Sequence, residues 1–143
     1  TVHGNDSILE AACREKGDIK ILAVTVLTSL DAGDLRDLGF EVDVRELVIS
    51  RARRALELGC DGVISSGMEA EAIREALGDR LLVVCPGIRP VKNVDDQKRT
   101  VDVEEAFQNG ADYIVVGRPI KEAADPAKAA ADIQARIAKL FAS

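Results

Sequence analysis

Two apolar stretches, Leu81-Leu82-Val83-Val84-Cys85 and Tyr113-Ile114-Val115-Val116, each run into a turn that pairs a glycine with an arginine. The first continues as Pro86-Gly87-Ile88-Arg89-Pro90 and the second as Gly117-Arg118-Pro119. A glycine at the carboxyl end of a strand lets an anion approach the backbone, and the arginine beside it brings a forked, permanent positive charge. That is chemistry suited to gripping a phosphate, and Arg118 is the strongest single candidate, since its guanidinium can take a phosphate in a bidentate way. The ordinary alternative is a surface ion pair after a turn glycine, and it weighs more at Arg89, held between Ile88 and Pro90. Between the two turns lies Asp95-Asp96-Gln97-Lys98-Arg99. Gln97 can both donate and accept, so it can bridge a base edge and a phosphate. Asp95, Asp96, Lys98 and Arg99 read as a solvated face.

Other polar residues fall at strand ends. Thr28 and Ser29 close Val24-Thr25-Val26-Leu27, and Ser65 and Ser66 close a strand that starts at Gly62. Ser29 is placed to cap the next helix, which leaves Thr28 as the ligand contact, able to hydrogen-bond a polar heterocycle; capping is favoured for Ser65 and Ser66 as well. Glu69 fits the first turn of a helix, where it complements the dipole. His3, the single histidine, also lies at a strand end, with no visible partner.

The absences narrow the chemistry. The sequence holds no GxGxxG, no Walker sequence and no clustered cysteine, histidine and aspartate set for a metal. One histidine makes a Ser-His-Asp triad an unpromising reading. No lysine stands at a strand end beside acids. A formal charge of −6 argues against a general nucleic-acid surface, so an anion site must be a local arginine cluster. No apolar run approaches membrane-spanning length. Cys13, Cys60 and Cys85 are widely spaced and odd in number, which suits buried positions in a reducing cytosol better than disulfides.

The elements that must position these residues alternate strand and helix. With 143 residues, 47% hydrophobic and 31% charged, the chain has the size of one globular domain spanning residues 1–143. Asp6-Ser7 can cap a first helix with Ile8, Leu9, Ala12 and Cys13 on one face. Ile19 to Val26 reads as a strand buried on both faces. Helices are expected over Ser29 to Leu38, about 44–58 behind the capping box Asp43-Val44-Arg45-Glu46, near Glu69 to Leu77, near Val103 to Gln108, and from Pro126 to Phe141 with Asp125 as cap. Strands are expected at Gly62 to Ser65, 81–85 and 112–116. The class is α/β with a parallel sheet. An open doubly wound sheet and a closed (β/α)₈ barrel both use this pattern, and a barrel typically takes ~200 residues or more. About four β/α units follow a strand stub at Thr1-Val2-His3. With Met68 the single methionine, the reading is of a fragment or a processed chain.

In these residues the sequence resembles the bacterial orotidine 5′-phosphate decarboxylases. The matching stretches are Leu22 to Ser29, Asp61 to Ser66, Pro86 to Pro90, Asp96 to Arg99 and Val116 to Ile120, together with Gly110-Ala111-Asp112-Tyr113 and Asp125-Pro126. The resemblance implies a (β/α)₈ TIM barrel of which this chain is the C-terminal half-barrel. It implies a cytoplasmic homodimer that converts orotidine 5′-monophosphate to UMP and CO₂ in pyrimidine biosynthesis, without a cofactor or a metal. Arg118 and the Gly117 amide would then hold the 5′-phosphate, Gln97 would span phosphate and pyrimidine, Thr28 would bond the pyrimidine edge, and Arg89 would complete the pocket. The catalytic residues would not be in this chain: the family's alternating Asp/Lys array, whose lysine protonates C6 as CO₂ leaves, would lie before Thr1. His3-Gly4-Asn5-Asp6 departs from the small, glycine-rich residues usual there. On this reading the chain alone is inactive, pairs with the absent N-terminal half, pairs with itself or rearranges toward an open sheet, and uses Val91 to Asp96 as a lid. The alternatives are a non-catalytic phosphate- or nucleotide-binding module and a related phosphosugar lyase.

Overall fold

A computed structural model describes residues 6–89 and 99–142. Eleven elements are described: α1 Asp6–Glu15, β1 Leu22–Val24, α2 Ala32–Asp37, α3 Val44–Glu57, β2 Gly62–Ile64, α4 Ala70–Leu77, β3 Leu82–Cys85, α5 Val103–Gln108, β4 Tyr113–Ile114, α6 Arg118–Lys121 and α7 Pro126–Phe141. The four strands form one parallel sheet in the order β1-β2-β3-β4. A doubly wound sheet reverses its direction of growth at a switch point. This one grows one way only, as a barrel wall does.

The pleat sorts the side chains. Ala23, Val63 and Val83 stand in register across three strands. All three are buried, and they share one core cluster with Leu47, Val48, Ala52, Ala55, Ile73 and Leu77 of α3 and α4. Alternate residues point to the other face. There Val24, Ile64 and Leu82 are half-buried, Val84 is buried and Tyr113 is 59% exposed. The strand expected over Ile19 to Val26 is therefore shorter and less enclosed than its composition implied: β1 covers Leu22–Val24, Ile19 is 71% exposed, and Val24 is half-buried. A cross-strand clamp fills the remaining gap at Gly62, where a Cβ would stand 2.5 Å from the Leu82 carbonyl and 2.7 Å from Leu22 Cδ2.

Helix ends follow local chemistry. Asp43 accepts from the Arg45 and Glu46 amides to start α3, Asp102 caps α5, and Asp125 caps α7 with Pro126 in its first turn. Asp31, not Ser29, caps α2, through a reciprocal capping box with Asp34. Asp6 is the first residue of α1 rather than its cap, and its carboxylate pairs with Arg54; Ile8, expected inward, is 67% exposed. The stub at Thr1-Val2-His3 lies outside the described residues.

One device appears twice. Gly59-Cys60-Asp61 and Gly110-Ala111-Asp112 precede β2 and β4. Each aspartate accepts a backbone N–H from the neighbouring strand, Ile21 at 2.8 Å and Val83 at 2.7 Å, and pairs with a cation, Lys16 at 2.8 Å and Arg74 at 2.6 Å. Each carboxylate thus sets the register at the amino end of the sheet. The cysteines are free: Cys60 and Cys85 are buried, burial pushes both thiols up to about 12, and Cys13 is half-buried with its Sγ 3.6 Å from that of Cys60.

The Lys16 ammonium and the Ile21 amide hold the Asp61 carboxyl below its ordinary value of 3.8. A depressed carboxyl contributes stability above its unfolded value, and that contribution is lost as pH falls through the folded value. Asp61→Ala is therefore expected to destabilise the fold by about 1–3 kcal/mol near neutrality. In urea unfolding the gap from the unsubstituted chain should narrow below pH 4; a gap that does not change with pH would contradict the pairing.

Candidate functional site

The carboxyl ends of the four strands lie together because the sheet is parallel, and the register places two of the candidate residues equivalently. Cys85 pairs with Ile114. Arg89 and Arg118 each lie four residues beyond that pair, on adjacent strands. Thr28 follows β1 by four residues, and its Cβ and Cγ2 lie 3.7 Å from where a Cβ on Gly87 would stand. The ends of β1 and β3 are thus in contact, although β2 separates them in the sheet.

The two glycines differ in kind. Gly87 has φ +75° and is buried, and an added Cβ would also meet the Arg99 carbonyl at 3.2 Å. Its missing side chain makes room for protein, which corrects the expectation that both turns open toward an anion. Gly117 has φ −99°, is exposed, and an added Cβ would meet nothing within 4 Å among the described residues. Neither a positive φ nor crowding requires glycine there. It precedes Arg118, the half-buried first residue of α6. Arg89 is half-buried as well; its Nη1 donates to the Ile88 carbonyl at 2.9 Å and its amide to Val101 at 2.9 Å. Ile88 and Val101 form an isolated parallel bridge, which sets Arg89 and Val101 side by side beyond the sheet. Gln97 and the stretch Val91 to Asp96 lie outside the described residues, as does His3.

Arg99, expected on a solvated face, is the buried centre of the strand-end region, with 6% of its surface exposed. Its Nε donates to Leu30 O at 2.9 Å, and its Nη2 to Val26 O at 3.1 Å and Leu27 O at 2.9 Å. Nη1 lies 2.8 Å from Glu69 Oε2, in an ion pair whose side chains are 7% and 8% exposed. The Arg99 amide donates to Thr28 O at 3.2 Å, and its carbonyl accepts from Ser66 Oγ at 3.1 Å. Glu69 consequently does more than complement a dipole. The serines do not cap α4 either: Ser66 Oγ accepts from the Met68 amide, Ser65 Oγ is buried without a hydrogen-bond partner among the described residues, and Glu69 occupies the cap position with no side-chain cap bond. The sequence signal for Arg99 is faint, because it closes a charged run; only the buried Val101 and Val103 after it mark the chain's return to the core.

Among the described residues no group of histidine, cysteine, aspartate and glutamate could hold a metal ion, and no helix is long and apolar enough to cross a membrane. The model of the Orotidine 5′-phosphate decarboxylase / HUMPS family matches residues 1–133.

The chain belongs to the orotidine 5′-phosphate decarboxylase / HUMPS family.

Curated members of the family are similar across nearly the whole sequence. Orotidine 5′-phosphate decarboxylase of Methylococcus capsulatus is 66% identical over 145 residues, covering 100% of this chain and 60% of that protein. The Nitrobacter winogradskyi enzyme of the same name is 54% identical, covering 92% of this chain and 55% of its own length. A crystal structure of orotidine 5′-phosphate decarboxylase from Lactobacillus acidophilus superposes with a TM-score of 0.77 at 34% identity, over 99% of this chain and 61% of that one. The chain spans about 60% of the length of the M. capsulatus relative. Its fold is the family's α/β half-barrel, and the doubly wound alternative falls away.

The two glycines make opposite predictions. Gly87→Ala should cost about 1–3 kcal/mol, from a positive φ and a crowded Cβ. Gly117→Ala should leave stability within about 0.5 kcal/mol. Thermal unfolding of both variants checks this, and equal losses would overturn the distinction.

Proposed function

We propose that this chain supplies the nucleotide-gripping part of an enzyme that decarboxylates orotidine 5′-monophosphate to UMP and CO₂. The observation that carries the proposal is the open space at Gly117, directly before Arg118 and on the strand adjacent to the one that delivers Arg89. Family membership and the printed names of the relatives support the choice of substrate. Arg118 and the Gly117 amide hold the 5′-phosphate, Thr28 bonds the pyrimidine edge, Gln97 spans the two, and Arg89 completes the pocket. These groups sit far from the bond that breaks. Their contribution is binding energy from the phosphate, which orients the pyrimidine and is spent in the transition state. The C6–CO₂ bond breaks to leave an electron pair on C6, which takes a proton. The acids and the lysine that attend this step are assigned to residues outside this sequence, in the alternating array of the family.

The open face of the sheet belongs to the same proposal. Tyr113 at 59% exposure and Val115 at 51% are too apolar to face water in a finished barrel, so this face packs against the remaining strands. The family resemblance adds that the completed protein acts as a homodimer in the cytoplasm. The identity of the relatives favours decarboxylation over the phosphosugar reading, since every curated relative described above carries the decarboxylase name.

The test joins this chain to the part of the M. capsulatus relative that it does not cover. The completed protein is expected to release CO₂ from orotidine 5′-monophosphate and to run as a dimer in light scattering. The 143-residue chain alone is expected to release none. Arg118→Ala should lower kcat/KM at least about tenfold, the worth of one charged hydrogen-bonded contact. Turnover by the chain alone, or none by the completed protein, would overturn the proposal.

A further inference from the structure

Arg99 joins three strand ends through one side chain and its own peptide. Its guanidinium satisfies three carbonyls, those of Val26, Leu27 and Leu30, in the turn that carries Thr28. Its amide holds the Thr28 carbonyl itself, and its carbonyl takes the Ser66 hydroxyl after β2. That same carbonyl lies against Gly87 after β3, and two residues on, Val101 accepts the Arg89 amide. Glu69 completes the set by neutralising the charge at 2.8 Å.

A core built only for stability has little use for this. Burying a guanidinium and a carboxylate carries a large desolvation cost before any pairing, and apolar replacements of similar volume are often neutral or better. What an apolar side chain cannot do is hold three carbonyls of an irregular turn in a fixed geometry; the planar fork of arginine can, and lysine, with a single rotatable ammonium, does so poorly. The turn so held contains Thr28, and the segment anchored beside it starts with Arg89.

We propose that Arg99 is a positioning residue of the nucleotide site: with Glu69 as counter-ion, it locks the Thr28 turn and the base of the Arg89 turn into one frame, so that the pyrimidine contact and the arginine stand in a fixed relation before substrate arrives. The inference rests on the function proposed above. It assigns Arg99 no contact with substrate; its effect runs chiefly through the Thr28 turn, with the base of the Arg89 turn as the smaller remainder.

A double-mutant cycle in the completed protein tests it, using Arg99→Lys, Thr28→Val and the pair, with kcat and KM determined per folded molecule. Arg99→Lys is expected to raise KM about tenfold with kcat changed less, and in the Thr28→Val background to cost no more than about twofold. Amide exchange over residues 26–30 should speed up selectively in Arg99→Lys while α3 and α7 stay protected. Glu69→Gln, which keeps the volume, is the second variant should Arg99→Lys fold poorly, and it should show the same coupling to Thr28. Additive effects, or a loss that follows only the folded fraction, would overturn the role of Arg99. Turnover by the unsubstituted protein is read first, so a failure of the functional reading shows there, while additivity in an active enzyme strikes Arg99 alone.

Discussion

The ion pair of Arg99 with Glu69 is the interaction on which the working end of this molecule depends. A parallel sheet brings its strand ends to one side, yet the turns that follow are irregular, and their carbonyls have no strand or helix to satisfy them. Arg99 supplies the donors for the turn after β1, Ser66 closes on its carbonyl after β2, and Gly87 leaves the room this arrangement needs after β3. The charge is tolerable because Glu69 meets it at the head of α4, a helix fixed by the buried Ala70, Ile73 and Leu77. Packing at the back of the sheet therefore reaches the candidate site through one guanidinium.

The two ends of the sheet use the same physics for different purposes. At the amino end, Asp61 and Asp112 each take a neighbouring strand's N–H and a cation, which sets register. At the carboxyl end, polar groups turn to loops, and Gly117 leaves open space in front of an arginine. A net charge of −6 does not conflict with an anion site, because the cations concerned are few and local.

Much of this was legible in the residues. Asp125-Pro126 named the start of α7 and Asp43 that of α3, because capping is a local demand that sequence states openly. The order of strands and helices followed from apolar runs ending in polar or glycine-bearing turns, and the proposed contacts Thr28, Arg89, Gly117 and Arg118 were chosen from those same turns. What escaped was set by contacts distant in sequence. Asp31 won the cap of α2 from Ser29 because Asp34 reciprocates. Gly87 looked like Gly117 until Thr28 and Arg99 were seen to fill its space. Arg99 looked like a surface charge because its partners stand about 30 and 70 residues away, and no local pattern announces a buried guanidinium.

The central claim is that the strand ends grip a nucleotide by its phosphate, with Arg118 and the Gly117 amide as the grip. A crystal structure of the completed protein with UMP tests this most directly. The 5′-phosphate is expected within ~3 Å of the Arg118 guanidinium and the Gly117 N–H, with the pyrimidine edge at Thr28. A phosphate seated elsewhere, such as among Arg51, Arg53 and Arg54 on α3, would contradict it.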